Sequence, residues 1–303
     1  MAMEFLKMQQ IEAMLAQVNG VRLTTSSAYY QTEGEGLALL VVENTLGSAV
    51  LALQGAHLIS YIPAQGQNLL WLSPNAIFKP AKAIRGGIPL CMPWFGGHPD
   101  GLPSHGFARA MDWQLRSAQN LADGGTELIL CLQDNEQTLA IWPHAFEFEL
   151  TIRVGRCLDL SLKIENRSDT SLPYTYAFHS YFAVEDYTQV AVQGLAGCEY
   201  IDTVGEHVRL LQTGDMTFTG TTDRVYLNVP AEQKIVTAQR SIQIVSDTHS
   251  AVVWNPGAHA ANIGDIGAGL NQTFVCVERG NVFDNGLLLA AGETHTATMS
   301  LSA

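Results

Sequence analysis

Two histidines and one glutamate have the sequence surroundings best suited to proton transfer. His105 lies in the segment PSHGFAR, after a turn and four residues before Arg109. His179 follows the aromatic segment YTYAF, and Glu278 ends the uncharged run TFVCV. A histidine titrates near neutral pH, and a carboxyl group at a partly dry strand end has a raised pKa. These three side chains are therefore candidates for acid–base chemistry.

Each candidate also has a purely structural interpretation. A lone histidine among aromatic residues is often buried with its ring nitrogens satisfied, and Glu278 could pair with the adjacent Arg279. The arginines near His105 could likewise form structural ion pairs. Spacing along the chain does not separate these alternatives.

The range Ile84–Trp113, which carries Arg85, His105 and Arg109, has the composition of a loop. Proline removes a backbone donor and glycine weakens an element interior, and both recur throughout this stretch. The wider range Lys79–Arg116 has five basic and two acidic residues, although the whole chain has a net charge of −13. A cationic, aromatic-lined loop on an acidic protein predicts a site for a small anionic ligand.

Composition restricts the class of protein and the compartment. With 303 residues and 47% hydrophobic content the chain can form a large core, and no apolar run has the length of a membrane span. A pI near 5.0 argues against nucleic acid as a partner. Five widely spaced cysteines without a CxxC pair favour free thiols in a reducing compartment, so we expect a cytoplasmic protein that is a monomer or weak dimer.

The chain divides into a short helical start and a long series of strands. Residues 1–20 predict an amphipathic helix closed by Gly20, which could alternatively serve as a dimer arm. In FEFELTIRV the apolar residues alternate with polar ones, and the next run repeats the pattern, which predicts a hairpin around Gly155 and Arg156. The predicted strands are Leu37–Val42, Ala49–Leu53, Glu127–Leu132, Phe146–Val154, Leu158–Ile164, Tyr174–Phe178, Lys234–Ala238, Ile242–Val245, Ala251–Trp254, Thr273–Val277 and Thr294–Leu301. Without a linker or repeat, they predict an all-β sandwich or barrel that forms one domain over residues 21–303.

Familiar metal and nucleotide motifs are missing from the sequence. The nine histidines show no HxH or HExxH spacing, and the glycines of GGIP and FGG fit turns better than a phosphate-binding loop. A metal site and a nucleotide cofactor therefore have little support.

A series of motifs, taken together, resembles a known enzyme family. The segments RGGIPLCMPWFGG, SHGFAR, AFHSYF, TDRVY and VCVERG follow one another from Arg85 to Gly280. This combination is similar to the hexose-6-phosphate mutarotase (glucose-6-phosphate 1-epimerase) branch of the aldose 1-epimerase family. The resemblance implies a large antiparallel β-supersandwich of the galactose mutarotase type, with an open cleft across one sheet and no metal or organic cofactor.

The resemblance also implies a role for each motif residue. His179 would protonate the ring oxygen of the sugar, and Glu278 would take the proton of the anomeric hydroxyl. His105 and Asp223 would hold sugar hydroxyls; Asp202 is an alternative to Asp223. Arg85 and Arg109 would bind the 6-phosphate. Ser104 stands where some relatives have glutamine, and its shorter side chain leaves that substrate contact open.

These roles suit the interconversion of sugar anomers. Ring opening needs one proton delivered to the ring oxygen and one removed from the anomeric oxygen, and reclosure reverses both transfers. The arginines favour a hexose 6-phosphate, most simply glucose 6-phosphate, because guanidinium groups bind phosphate in a bidentate way. The alternatives are a mutarotase for an unphosphorylated sugar, or a non-catalytic carbohydrate-binding module that uses Trp94, Phe95 and Phe107.

Overall fold

The computed structural model describes residues 2–303, with side chains from Leu6 onwards. The helices are α1 (Ala2–Leu15), α2 (Ser26–Tyr30) and α3 (Glu136–Ile141), with 3-10 turns at Ala108–Ala110, Tyr187–Gln189, Gly257–Asn262, Leu270–Thr273 and Phe283–Asn285. The strands are β1 (Val21–Thr25), β2 (Ala38–Asn44), β3 (Gly47–Ala52), β4 (His57–Pro63), β5 (Leu90–Cys91), β6 (Gln114–Asn120), β7 (Thr126–Gln133), β8 (Phe146–Val154), β9 (Leu158–Asn166), β10 (Leu172–Tyr174), β11 (Tyr176–Phe178), β12 (Tyr181–Ala183), β13 (Ala191–Gln193), β14 (Glu199–Asp202), β15 (Val208–Leu211), β16 (Met216–Thr217), β17 (Thr222–Leu227), β18 (Glu232–Val236), β19 (Ser241–Ser246), β20 (Ser250–Asn255), β21 (Phe274–Asn281), β22 (Leu287–Leu289) and β23 (Thr294–Ser302).

Two large antiparallel sheets form the body of the protein. One has nine strands in the order β16-β13-β18-β19-β23-β9-β8-β7-β6, and the other has eight, β15-β14-β17-β20-β21-β11-β5, with β12 also paired to β21. A four-stranded sheet, β1-β2-β3-β4, and the pair β10-β22 complete the fold. The all-β sandwich predicted from the sequence is confirmed.

The main hydrophobic core lies between the two large sheets. Leu150 and Ile152 of β8 belong to the same buried cluster as Val275 and Val277 of β21. Along β21 every second side chain faces this core, because successive residues of a strand point to opposite faces. The other face of the eight-stranded sheet is therefore available to form a site.

The predicted strands all overlap strands of the structure, and the hairpin at residue 155 is confirmed by the pairing of Val154 with Leu158. One prediction was too simple. The segment Tyr174–Phe178 is not one strand, because β10 pairs with β22 and β11 pairs with β21. The chain changes sheets at Thr175, so a continuous apolar pattern here serves two different neighbours.

The N-terminal helix is confirmed, but its predicted end is wrong. Helix α1 ends at Leu15, and Gly20 comes after a turn, with a φ of 73° just before β1. Ile11 and Leu15 are spaced by one helical turn and are buried in the main core, whereas Glu12 is exposed. One side of the helix therefore packs on the main core, but the helix is not amphipathic as predicted, because its apolar residues are spread around the axis and Leu6, for example, is exposed. The division of the chain at residue 20 stays a prediction.

Candidate active site

A cleft of about 440 Å³ lies on the face of the eight-stranded sheet that is turned away from the main core. In this sheet Asp223 of β17 pairs with Trp254 of β20, and Val252 of β20 pairs with Glu278 of β21. Directly opposed residues of antiparallel strands project their side chains to the same face. Strand register therefore brings Asp223, Trp254 and Glu278 to the lining of one cleft.

Register also explains how His179 meets Glu278. Strand β11 pairs Phe178 with Arg279, and β12 resumes pairing with β21 in the same register two residues after His179. The residue after Phe178 therefore lies opposite the residue before Arg279. His179 Nδ1 is 3.2 Å from Glu278 Oε1, although the two residues are far apart in sequence.

Both members of this pair are removed from water. His179 is 7% exposed and Glu278 is 1% exposed, and neither His179 Nδ1 nor Glu278 Oε2 has a hydrogen-bond partner among the described residues. Burial is the main cause that lowers the pKa of His179 well below its usual value, and the positive charges of Arg109 and Arg85 add to it. Burial likewise raises the pKa of Glu278 well above its usual value, with a further contribution from Asp223.

These shifts favour a neutral pair that holds one mobile proton. Moving this proton from the Glu278 carboxyl group to the His179 ring converts two neutral groups into an ion pair without changing the total number of bound protons. Such a pair can donate at one atom and accept at the other. These are the two roles that the family resemblance implies for His179 and Glu278.

The alternative pairing of Glu278 with Arg279 is contradicted by the structure. Arg279 is fully buried and points to the opposite face of β21, where its guanidinium donates to Thr248 Oγ1 and to the backbone oxygen of Ala231. Adjacent residues of a strand cannot share a face, so their side chains are separated by the sheet. Burial lowers the pKa of Arg279 to about 10.

His105 lines the cleft from the loop of residues 84–113. Its backbone is in the left-handed region, with a φ of 64°, and its ring packs against Phe95 and His179 with centroid distances of 4.8 and 5.8 Å. The Gly96 amide donates to His105 Nδ1 at 3.3 Å, which places the proton of a neutral ring on Nε2. Burial, together with the charges of Arg109 and Arg85, lowers the pKa of His105 to about 4, so the ring is a neutral donor at physiological pH.

The next residue, Gly106, allows this loop to close. A side chain there would place its Cβ about 2.0 Å from the backbone oxygen of Met92, and the φ of Gly106 is 69°. Only glycine tolerates both conditions. The glycine of the SHGFAR motif is therefore needed for the position of His105.

Arg85 reaches the cleft while its guanidinium is held on two sides. Its Nε donates to Asp265 Oδ1 at 3.0 Å, and its Nη1 donates to the Tyr181 hydroxyl at 2.9 Å. Ser73 braces the same region, because its amide donates to the Arg85 oxygen and its hydroxyl donates to the Asp265 oxygen. The side chain is 26% exposed, so its remaining edge is accessible.

Arg109 and Ser104 lie beside the cleft and are not among the residues that line it. Arg109 Nη2 donates to the backbone oxygen of Ser104 at 2.8 Å, and Ser104 is exposed. The charge of Arg109 nevertheless reaches the cleft, because it helps to lower the pKa of His105 and partly offsets the raised pKa of Glu278.

Asp223, and not Asp202, lines the cleft. Asp202 is directed to Arg224, with 3.6 Å between its Oδ2 and Arg224 Nε. Burial is the largest cause that raises the pKa of Asp223, and the nearby charge of Asp202 acts in the same direction.

The aromatic residues of the loop are less exposed than their sequence suggests. Trp94 and Phe107 are 8% and 2% exposed and belong to the main core, and only Phe95 of the three lines the cleft. Sequence reasoning also missed several lining residues, which register and loop packing bring to the cleft. They are Thr203, His207, Val225, Val252, Trp254 and Phe283.

The donor atoms of His179, Cys276 and Glu278 lie within 4.8 Å of one another, so a metal ion could in principle reach all three. Burial raises the pKa of the Cys276 thiol well above its usual value, whereas a metal would need the thiolate. The neutral forms of these groups suit proton transfer better than metal binding. All five cysteines lie in the described part of the chain and are free thiols.

A larger groove of about 620 Å³ lies on the outer face of the nine-stranded sheet. Polar groups along it are hydrogen-bonded to one another. Ser300 Oγ donates to Asp159 Oδ1 at 2.6 Å, and the Thr298 amide donates to Asp247 Oδ1 at 2.7 Å. Groups that are already paired have little to offer a ligand. The smaller cleft, with its unpaired histidine and glutamate atoms, is the better candidate site.

Comparisons with known proteins indicate the family of this chain. Residues 38–302 match the family model of aldose 1-epimerase. A protein of Salmonella typhimurium named putative glucose-6-phosphate 1-epimerase is 43% identical over 250 residues, which cover 80% of this chain and 83% of the relative. A protein of Cenchrus ciliaris with the same name is 37% identical over 270 residues, covering 84% and 81% of the two chains.

A solved structure shows the same fold. The crystal structure of a putative mutarotase, YeaD, from Salmonella typhimurium superposes with a TM-score of 0.83 and 36% identity, covering 89% of this chain and 92% of that one. None of the helices in residues 2–303 has the length and apolar character needed to cross a membrane. The family match and the shared fold together show that this chain belongs to the aldose 1-epimerase family and is an epimerase.

Proposed function

We propose that this epimerase interconverts the α and β anomers of a hexose 6-phosphate, with glucose 6-phosphate as the first substrate to test. The observation that carries the proposal is the buried His179–Glu278 contact of 3.2 Å at a cleft flanked by Arg85 and Arg109. The names of the relatives, which describe glucose-6-phosphate 1-epimerases, support the same substrate.

His179 acts as the acid and Glu278 as the base. The ring oxygen and the anomeric oxygen of a hexose are bonded to the same carbon, so the donor and the acceptor that serve them must be neighbours. The reactive form is the ion pair, in which the Glu278 proton has moved to His179. Glu278 then removes the anomeric proton while His179 delivers its proton to the ring oxygen, and the open chain closes by the reverse transfers. Placed acid–base groups of this kind typically contribute on the order of 10²–10⁴-fold to a rate.

His105 and Asp223 hold the sugar hydroxyls. Neutral His105 offers its Nε2 proton as a donor, since Nδ1 accepts from Gly96. Asp223, on strand β17, lines the cleft and offers its carboxylate oxygens as acceptors. One donor and one acceptor on separate elements would fix the orientation of the sugar ring above the catalytic pair.

Arg85 and Arg109 bind the 6-phosphate. Arg85 uses Nε and Nη1 on Asp265 and Tyr181, which leaves Nη2 without a partner among the described residues. Arg109 donates from Nη2 to the backbone oxygen of Ser104, and its Nε and Nη1 have no hydrogen-bond partner among the described residues. Ser104 contributes to substrate binding mainly by orienting Arg109, because its own side chain is short and exposed.

The proposal needs no cofactor, because proton transfer and bond rotation are sufficient for the reaction. The five free cysteines support a reducing, cytoplasmic location. We expect the enzyme to work as a monomer or weak dimer.

The test follows the anomers of freshly dissolved α-glucose 6-phosphate. An excess of a dehydrogenase specific for the β anomer makes anomer conversion the slow step, so an active enzyme accelerates the formation of reduced cofactor. Glucose and galactose, each with its own β-specific dehydrogenase, are measured beside it. The Glu278→Gln variant is the matched control for any activity that does not depend on the site.

The expected result is acceleration with the phosphorylated sugar and little with glucose or galactose. Preference for an unphosphorylated sugar would reject the phosphate assignment of the two arginines. If the rate of anomer conversion stays at the spontaneous rate for all three sugars, the proposed reaction is rejected.

A further inference from the structure

Tyr181 connects the anion-binding side of the cleft to the catalytic histidine. Its ring lies parallel to the ring of His179, with an interplanar angle of 3° and a centroid distance of 4.8 Å. Its hydroxyl accepts a hydrogen bond from Arg85 Nη1 at 2.9 Å. Tyr181 belongs to the segment AFHSYF, but no role was assigned to it from the sequence, and it does not itself line the cleft.

We infer that Tyr181 is a positioning residue that fixes the ring plane of His179, and that Arg85 holds Tyr181 in the orientation this requires. The inference rests on the proposed function, in which His179 is the acid. The His179 ring must keep Nδ1 near Glu278, and rotation of the ring about its Cβ–Cγ bond would carry Nδ1 away from the 3.2 Å contact. A parallel ring packed against one face opposes this rotation sterically.

The surroundings make Tyr181 a rigid support. It is 1% exposed and packs between His179 and the indole of Trp71, whose centroid lies 5.9 Å away at an angle of 23°. Trp71 is stacked in turn on Phe274 at 4.3 Å. A ring enclosed by other rings has few alternative rotamers.

The other aromatic neighbours of His179 restrict rotation of its ring less than Tyr181 does. His105 and Trp254 meet its ring edge-to-face at centroid distances of 5.8 and 6.1 Å, which allows more rotation than a parallel contact does. Tyr181 is therefore the contact that selects one ring plane. Placement errors of about 1 Å at a reacting group can cost on the order of 10²-fold in rate.

Arg85 links the position of Tyr181 to the binding of an anion. Its Nε is anchored on Asp265 and its Nη1 on the Tyr181 hydroxyl, so one planar guanidinium contacts both the Asp265 loop and the residue behind His179. An anion bound to the free edge of Arg85 would reinforce this arrangement. Substrate binding and acid placement would then be mechanically linked.

The experiment compares Tyr181→Phe with Tyr181→Leu in the anomer assay. The phenylalanine variant keeps the parallel ring and loses the hydroxyl, so it should keep most of kcat and show a raised KM for glucose 6-phosphate. The leucine variant loses the ring as well as the hydroxyl, so its kcat should fall on the order of 10²-fold, and its KM should rise as in Tyr181→Phe. Tyr226→Leu is the matched control, because Tyr226 is a fully buried tyrosine of the same sheet that bonds to Gln212 and not to the catalytic pair.

A second measurement reports on the ring plane directly. In wild type and Tyr181→Phe, stacking should shift the carbon-bound ring protons of His179 upfield in NMR spectra, and Tyr181→Leu should lose this shift. The inference is overturned if Tyr181→Leu retains the kcat of Tyr226→Leu, or if Tyr181→Phe loses as much kcat as Tyr181→Leu. If wild type itself fails to accelerate any sugar, the proposed function fails, whereas the NMR shift still decides whether Tyr181 orients His179.

Discussion

Replacing Glu278 by glutamine should change the pH dependence of folding stability as well as activity. The Glu278 carboxyl group is 1% exposed, and burial raises its pKa well above the ordinary value of 4.5. The folded protein therefore keeps a proton on Glu278 at pH values where the unfolded chain has lost it. A folded state that binds an extra proton loses stability as pH rises.

Proton linkage gives the change of unfolding free energy per pH unit. The pH range in which Glu278 dominates this change depends on the other groups that titrate nearby. Each pH unit costs about 1.4 kcal/mol of unfolding free energy while folded Glu278 remains protonated and unfolded Glu278 is ionised. His179 acts in the opposite direction below its ordinary pKa of 6.5, because its folded pKa is lowered and its unfolded form is charged there. Between pH 4.5 and 6.5 the two slopes oppose each other, and the His179 contribution fades over about one pH unit above 6.5, where the unfolded ring loses its proton.

Other shifted groups contribute as well. His57 and His105, with pKa values lowered to about 4, and His295, whose pKa is also lowered, act in the same direction as His179, and their contributions fade likewise as pH rises above 6.5. Burial raises the pKa of Cys91 from 9.0 to about 12, so it contributes mainly at higher pH. From pH 7.5 to 8.5 the unfolding free energy of the wild-type protein should therefore fall, and the part due to Glu278 is at most about 1.4 kcal/mol per pH unit.

Denaturant unfolding followed by tryptophan fluorescence at pH 7.5, 8.0 and 8.5 measures this slope. Glu278→Gln should lose less unfolding free energy than wild type over the interval and should lose turnover, because an amide cannot take the anomeric proton. The control is Glu147→Gln. The pKa of Glu147 is lowered to about 2 by its hydrogen bond with Arg116, so Glu147 is ionised in both states above pH 6.5 and its replacement should not alter the slope. Equal slopes in wild type and Glu278→Gln would refute a raised pKa at Glu278.

Three further predictions concern the anion site, the loop and the outer sheet face. Arg109→Ala should raise KM for glucose 6-phosphate about 10- to 100-fold, the equivalent of a charge-assisted hydrogen bond of about 1.5–3 kcal/mol, and should leave KM for glucose unchanged; an unchanged KM for the phosphorylated sugar would remove Arg109 from the phosphate site. Gly106→Ala should lower both Tm and kcat, because its Cβ would meet the Met92 oxygen at about 2.0 Å, and a variant with wild-type values would show that the loop relaxes freely. Glu147→Gln should cost about 1–3 kcal/mol at pH 7, since Arg116 and Arg167 both pair with this carboxylate, and its deficit relative to wild type should shrink as pH falls from 4.5 towards 2 and wild-type Glu147 is protonated.

Local patterns determined much of the fold in advance. Strict alternation in β8 and β9 and the turn between them fixed a hairpin, because the period of a half-buried strand is visible in the residues themselves. Glycine and proline marked the range Ile84–Trp113 as loop, and it contains only a two-residue strand, β5, and one 3-10 turn. The motif segments also pointed to His105, His179 and Glu278, which the cleft brings together.

Other expectations failed where long-range packing overrides local pattern. Trp94 and Phe107 looked available for sugar contacts, but the loop folds back and buries them in the main core. Helix α1 ends at Leu15 because the chain must turn there to enter β1, well before the glycine that looked like its cap. Neither outcome is visible in the residues of the segment concerned.

The sequence by itself determined which groups could carry protons, but its placement of Glu278 at a strand end is wrong, because Glu278 lies inside β21 (Phe274–Asn281). Only the tertiary structure decided that they meet, because strand register is a property of pairing between segments distant in the chain. A shift of one residue between β21 and the strands β11 and β12 would place Arg279 or Val277 opposite His179. The register that pairs Phe178 with Arg279 instead directs Arg279 into the core and leaves Glu278 3.2 Å from His179.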